Sequence, residues 1–315
     1  MENDIWTIKA ALDWTVGYLE RKGDENPRLS AQWLLSEACG LSRIEVYANF
    51  ERPLSMEERD VLRGYVTRRG RGEPLQYITG EVGFRHITVK VRPGVLIPRP
   101  ETEVLVSEAL ALLPPTPRPR AKDDEDEEGD GAPEEPESAP EPLLVADLCT
   151  GSGCIACSIA YEHPLARVFA TDIAPEAVAL ACENAEALGL ADRVEVVACD
   201  LGEGVPAEAV GALDLVVSNP PYVPTAVLAD IPREVADFEP ALALDGGEDG
   251  LDVLRRLLPW CARALKPGGA FAFELHETCL DSSASLARAA GFSDVRIARD
   301  LAGRPRVLTG RRPSA

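Results

Sequence analysis

From residue 143 onward, short apolar runs alternate with helical windows, and this alternation constrains the fold more than any other feature of the 315-residue chain. Leu143 to Asp147, Val168 to Asp172, Val194 to Ala198, Leu213 to Val217 and Ala270 to Leu275 read as strands. Helical windows lie between several of them, clearest at Pro175 to Leu188 and Gly250 to Leu265. Strand, crossover helix and strand in repetition predict a mostly parallel α/β sheet covered on both faces, since a tight hairpin cannot join parallel strands. Ligands in such sheets bind beyond the carboxyl ends of the strands, where the strand order reverses. The residues just after each strand are therefore the ones to read for chemistry.

Upstream the texture differs. Residues 1–75 show helical spacing at Trp6, Ala10, Asp13, Trp14, Gly17 and Tyr18, then at Ala31, Leu34, Leu35 and Ala38, with Gly40 as a C-cap. A small helical bundle is expected there. Over residues 76–112 the period shifts to two at Thr88 to Arg92, with Gly83 and Pro93-Gly94 as punctuation, and a helix begins after Pro100. This reads as a hairpin hinge and a following helix. Residues 113–142 are rich in proline and acid: Lys122 to Pro142 holds eleven acids and one Lys, so it carries ten of the 21 net negative charges. Such a segment cannot bury enough apolar surface to offset its ordering entropy and reads as a disordered linker. Residues 143–315 form the sheet domain.

A chain this acidic works against phosphate backbones and anionic lipid surfaces. No apolar run approaches the roughly 20 residues that span a bilayer, and the opening Met1-Glu-Asn-Asp lacks the basic region of a signal peptide. Eight scattered cysteines lack the spacing of a disulfide scaffold. The expectation is a cytoplasmic chain with reduced thiols, no membrane and no direct nucleic-acid contact.

The first strand runs into Asp147-Leu-Cys149-Thr150-Gly151-Ser152-Gly153 and then at once a helix. Glycines there let a ligand approach the backbone, and the helix start offers unpaired N–H groups. The next strand ends in Asp172, about 20 residues on, the spacing of an acid that bonds ribose hydroxyls. This pair points to a nucleoside cofactor and leaves nicotinamide and S-adenosylmethionine both open, although the incomplete Gly-x-Gly-x-x-Gly form points away from a dinucleotide. The fourth strand ends at Asn219-Pro220-Pro221-Tyr222. A planar nitrogen nucleophile must be held by acceptors on its N–H groups while its lone pair faces an electrophile. The Asn219 side-chain oxygen and the Pro220 carbonyl can supply them, the prolines stiffen the loop, and Tyr222 can stack on a flat group.

Asn219 to Tyr222 resembles the signature of methyltransferases acting on planar nitrogens. Three further stretches, Glu73 to Gly80, Pro93 to Glu103 and Glu239 to Gly250, together with Asp300 to Arg306, narrow the likeness. The chain resembles the HemK/PrmC family, the peptide chain release factor glutamine methyltransferases. The resemblance implies a Rossmann-like class I S-adenosylmethionine-dependent methyltransferase domain with a seven-stranded, mostly parallel sheet, preceded by a substrate-recognising helical bundle. It implies transfer of a methyl group to the side-chain nitrogen of the Gln in the Gly-Gly-Gln motif of class I release factors, leaving S-adenosylhomocysteine. Thr150, Gly151 and Gly153 then contact the methionine portion of the cofactor, with Cys149 and Ser152 also in the cofactor site, Asp172 at its ribose, and Asp200 and Leu201 at its adenine. Asn219, Pro220, Pro221 and Tyr222 hold the substrate amide, with Asn219 also at the cofactor, and Asn219, Pro220 and Tyr222 as the catalytic set. Pro98 to Thr102 lies over the pocket, and the protein acts as a monomer.

Some residues depart from the family pattern. Cys149 stands where Gly is usual, Leu201 replaces a frequent Trp, and His276 follows Phe273-Glu-Leu where Gly is common and reads as a solvent-facing strand end. Cys154-x-x-Cys157 has redox spacing, yet it falls in a helix packed on the sheet, and His86, His163 and His276 lie far apart, so no metal is expected. No general base is expected beside the Asn219 loop. Glutamine methylation of a ribosomal protein, methylation of DNA adenine, and cofactor binding without turnover remain the alternatives.

Overall fold

A computed structural model describes residues 6–115 and 141–314, so the linker reading falls almost wholly outside the described residues. The chain divides into two compact units. One contains the chain through Val82, with Lys90–Ile97 and Ala229–Ala241. The other contains Gly83–Val89, Pro98–Leu228 and Leu242 onward.

Five of the first unit's helices follow one another in the chain: α1 (Ile8–Arg21), α2 (Pro27–Cys39), α3 (Arg43–Ala48), α4 (Met56–Arg69) and α5 (Leu75–Thr79). Local chemistry sets their ends. Ser42 with Glu45 and Ser55 with Glu58 form capping boxes that satisfy otherwise unpaired N–H groups at the starts of α3 and α4. Pro27 opens α2, and Gly40 closes it in the left-handed region at φ 60°, as its position predicts. The first helix lies where the spacing put it, but the buried face is a different one. Ile8, Ala11, Leu12, Thr15 and Leu19 point into the core. Trp14 is 48% exposed, stacked on Tyr18 and edge-on to Trp6. Large aromatic side chains drew the expected stripe around the helix, whereas the smaller ones fit the narrow interface with α2.

The second unit holds the sheet. Its strands are β3 (Leu143–Leu148), β4 (Ala166–Asp172), β5 (Val194–Ala198), β6 (Leu213–Ser218), β7 (Leu265–Glu274), β8 (Ser293–Arg299) and β9 (Pro305–Arg311). The order is β5-β4-β3-β6-β7-β9-β8, parallel from β5 to β7, with β9 antiparallel to both its neighbours. This is the expected seven-stranded, mostly parallel sheet. Helices α6 (Thr102–Leu112), α7 (Cys154–Glu162), α8 (Pro175–Ala187), α10 (Asp252–Ala264) and α11 (Leu280–Ala289) accompany it, and α9 (Arg233–Phe238) belongs to the first unit. Within that first unit, Arg69 is buried between Asp24 at 2.7 Å and Glu234 of α9 at 3.0 Å.

The division between the units runs through a hairpin of β1 (Glu81–Phe84) and β2 (Ile87–Lys90). Its turn falls at Arg85 and not at Gly83. Arg85 takes φ 52°, a strained value for a residue that carries a Cβ. Its guanidinium bonds both oxygens of Glu162, the Glu103 carbonyl and the Ser107 hydroxyl, and these anchors hold the turn.

Register decides which residues meet. Leu148 pairs with Thr171 on one side and Ser218 on the other, and Ser218 pairs with Phe273. The next residues along these strands, Cys149, Asp172, Asn219 and Glu274, therefore share one level at the carboxyl edge. β3 lies between β4 and β6, so the sheet order reverses there.

Candidate active site

The loop after β3 is shaped by left-handed backbone. Cys149, Gly151 and Gly153 have φ of 61°, 56° and 79°. A Cβ at 153 would sit 3.1 Å from the Ala181 Cβ, so glycine there serves the close packing of α7 on α8. The Thr150 hydroxyl donates to Asp147 Oδ2 at 2.6 Å, and the Ala156 N–H donates to the same oxygen at 3.1 Å. Asn184 Nδ2 donates to the Ser152 carbonyl at 2.9 Å. Thr150, Ser152 and Gly153 are thus buried and turned inward, while Cys149 and Gly151 are half-buried at the surface of the loop. Burial pushes the Asp147 carboxyl up to about 7, against the hydrogen bonds from Thr150 and Ala156. The unusual Cys149 occupies a backbone conformation that glycine adopts without strain, which gives the family preference its physical reason.

Asp172 closes the other side of this loop. Its Oδ2 accepts from the Gly151 N–H and its Oδ1 from the Ala174 N–H, each at 2.9 Å. An ionised carboxylate has about four acceptor sites, so one on each oxygen is left. Beyond β5, Leu201 has φ 48°, and its carbonyl accepts from the Thr171 hydroxyl at 2.7 Å. Its side chain packs against the core of the sheet. The Asp200 carboxylate pairs with Arg256 Nη2 at 2.5 Å. That ion pair and the Trp260 ring, seated on Gly202, come from α10 and gave no signal in the sequence.

The Asn219 loop is braced from two directions. Asn219 Nδ2 donates to Thr102 Oγ1 at 3.3 Å, which leaves Oδ1 as the acceptor this side chain offers. Behind the loop runs the Asp245 to Gly250 segment. The Val223 N–H donates to the Leu244 carbonyl, the Gly246 N–H to the Val223 carbonyl and the Thr225 N–H to the Gly247 carbonyl, each at 2.9 Å. A Cβ at Gly246 would lie 2.7 Å from the Tyr222 Cα, so this ladder needs glycine there. The 239–250 stretch earlier carried resemblance alone; here its conformational role is visible.

Beside the loop lies a group the sequence reading missed. Tyr222 Oη donates to Glu274 Oε1 at 3.0 Å. Glu274, at the end of β7, is 1% exposed, and its Oε2 is buried with no hydrogen-bond partner among the described residues. Burial raises its carboxyl, while the neighbouring Thr102 hydroxyl, the hydrogen bond from Tyr222 and the charge of Arg306 oppose the rise. Burial and the neighbouring Glu274 push the Tyr222 phenol well above its usual range, so it stays a donor. The sequence reading did not name Glu274, because 52 residues of chain separate the pair and adjacent strand ends bring them together. His276 lies two residues beyond the end of β7. It is half-buried, its ring 6.4 Å from that of Tyr222 and its Nδ1 2.8 Å from the Thr278 hydroxyl. In the Pro98 to Thr102 segment, Glu101 pairs with Arg304 at 3.3 Å, and Arg304 with Asp300 at 2.9 Å.

All eight cysteines are free. Cys154 and Cys157 are buried in α7, and desolvation raises both thiols, Cys157 to about 12, which disfavours the reactive thiolate. Among the described residues no cluster of three His, Cys, Asp or Glu side chains is arranged to hold a metal ion, and no helix is long and apolar enough to cross a membrane.

Residues 10–80 match the PrmC N-terminal domain and residues 138–232 the methyltransferase small domain. The fold is similar to that of ribosomal protein L11 methylase from Lactobacillus delbrueckii subsp. bulgaricus, with TM-score 0.46 and 19% identity over 74% of this chain and 98% of that one. Over the full sequence the chain is similar to the release factor glutamine methyltransferase of Geobacter sulfurreducens, 43% identical over 98% of both chains. The enzyme of that name from Moorella thermoacetica is 41% identical over 96% of this chain and 97% of its own. The chain belongs to the release factor glutamine methyltransferase family.

Proposed function

We propose that the chain transfers a methyl group from S-adenosylmethionine to the side-chain amide nitrogen of the Gln in the Gly-Gly-Gln motif of class I peptide chain release factors. The observation that carries this reading is the position of Asn219 to Tyr222 at the carboxyl end of β6, beside the β3 loop at the point where the sheet order reverses. Full-length relatives named for release factors favour this substrate over a ribosomal protein.

The residues present fit the cofactor. Asp172 keeps one acceptor site per oxygen, which suits the two hydroxyls of a ribose, and its orientation is fixed by two backbone N–H groups. Cys149 and Gly151 supply the loop surface for the methionine portion, with Thr150, Ser152 and Gly153 holding the loop in shape. Leu201 provides an apolar wall for adenine, and Asp200 is held toward it by Arg256. When bound, the cofactor supplies a methyl group already activated by its sulfonium centre.

The work of the protein is then positioning. Asn219 Oδ1 and the Pro220 carbonyl accept from the substrate amide N–H groups, which turns the nitrogen lone pair toward the methyl group. Pro221 stiffens the loop, and the Tyr222 ring covers the flat amide and excludes water. The helical first unit serves as the recognition domain for the release factor, and the chain acts as a cytoplasmic monomer. Incubation with labelled S-adenosylmethionine and, separately, purified release factor, ribosomal proteins and duplex DNA tests the reading. Mass spectrometry is expected to place the label on the Gln of the Gly-Gly-Gln motif; label in ribosomal protein or DNA alone would overturn it.

A further inference from the structure

We propose that Glu274 is a positioning residue for methyl transfer, a buried carboxyl that fixes the Tyr222 ring. The proposal rests on the reading of the Asn219 loop given above. Three observations carry it. First, Glu274 is 1% exposed, and a carboxyl in such a place is costly unless it is engaged. Second, its engaged oxygen accepts from Tyr222 Oη at 3.0 Å, so one hydrogen bond orients the ring at the end of the loop. Third, Asn219 Nδ2 at the start of the loop donates to the buried Thr102 hydroxyl at 3.3 Å, so Tyr222 is the side chain of the loop that depends on Glu274. The two ends of the substrate-holding loop are thereby held by separate buried groups, Thr102 at one end and Glu274 at the other.

Two geometric facts make this bracing useful. Asn219 has one amide oxygen to offer, and its direction depends on where Nδ2 is held. Tyr222 sits at the end of a proline-stiffened loop whose ring is free to rotate about its side-chain bonds unless its hydroxyl is tied. Polar networks in a low-dielectric interior are stiff when satisfied, and a misplacement near 1 Å can cost about 100-fold in rate. Glu274 acts through its acceptor oxygen and not through its charge. The neutral, isosteric glutamine should therefore replace it, since its amide oxygen can accept from Tyr222 in the same place.

The test compares Glu274→Gln, Glu274→Ala and Tyr222→Phe in the full chain, with S-adenosylmethionine and a release factor as substrates. Glu274→Gln is expected to keep kcat within about threefold, whereas Glu274→Ala and Tyr222→Phe each lower it by about 10- to 100-fold with KM for S-adenosylmethionine unchanged. The Glu274→Ala/Tyr222→Phe pair should be no slower than the slower single variant, because both remove one bond. If Glu274→Ala does not fold, Glu274→Gln and Tyr222→Phe still decide. A Glu274→Gln as slow as Tyr222→Phe, independent effects in the pair, or full activity in Tyr222→Phe would each overturn the proposal. Absence of release factor methylation by the unaltered chain would instead count against the function, so the two failures are distinguishable.

Discussion

The two loops that meet at the reversal of the sheet order are built by opposite means. The loop after β3 gains its shape from backbone freedom: three left-handed residues in five, with side chains turned inward to hold it. The loop after β6 gains its shape from restriction, with two prolines, a glycine-dependent ladder behind it and a buried carboxyl at its end. The contrast follows from what each must hold. A loop that wraps a ligand needs exposed backbone and little side-chain bulk, whereas a loop that aims a weak nucleophile needs acceptors that do not move. Affinity and reactivity should then separate between them.

The largest effect should come from the rigid loop. Asn219→Ala removes the aimed acceptor and is expected to lower turnover by about 1,000-fold or more while S-adenosylmethionine affinity, measured by calorimetric titration, stays within a few-fold. Beside the loop after β3 the reverse is expected. Asp172→Ala loses the acceptors for the ribose and leaves the Gly151 N–H unpaired, weakening S-adenosylmethionine binding by about 10- to 100-fold. A smaller effect belongs to shape alone. Gly153→Ala places a methyl group against Ala181 in a left-handed backbone, at a cost of about 1–3 kcal/mol, read as a melting temperature lower by several degrees.

A further effect on stability is a dependence on pH. Burial raises the Asp147 carboxyl to about 7, so the fold binds a proton that the unfolded chain releases in the usual carboxylate range. Its contribution to stability is fully present below that range and is lost as pH climbs through about 7. The urea midpoint should fall between pH 5 and pH 8, and Asp147→Asn, which keeps an acceptor for Thr150 and Ala156, should flatten that slope. Glu274, raised by the same cause, leaves a residual slope.

Contiguous features were the readable ones. The parallel strands, the glycine turn, Asp172 and the Asn219 loop each occupy one short stretch whose chemistry is local. What escaped depends on register or on packing between distant stretches. Glu274 sits in an apolar run and looks like the end of a strand until β6 and β7 align. The Arg256 hold on Asp200 spans 56 residues and depends on where α10 lies. Strands β8 and β9, outside the alternating pattern, complete the sheet as antiparallel additions whose partners no spacing names. The exposed Trp14 shows the same limit in miniature, since helical period identifies a helix but the volume available at its interface decides which face is buried.

The division of labour between the loops is tested most directly by the single-turnover rate at saturating S-adenosylmethionine and release factor. Saturation removes differences in affinity, so Asp172→Ala should recover to within about tenfold of the unaltered chain while Asn219→Ala stays about 1,000-fold slower. The opposite pattern, with Asn219→Ala rescued by saturation and Asp172→Ala still slow, would contradict the account.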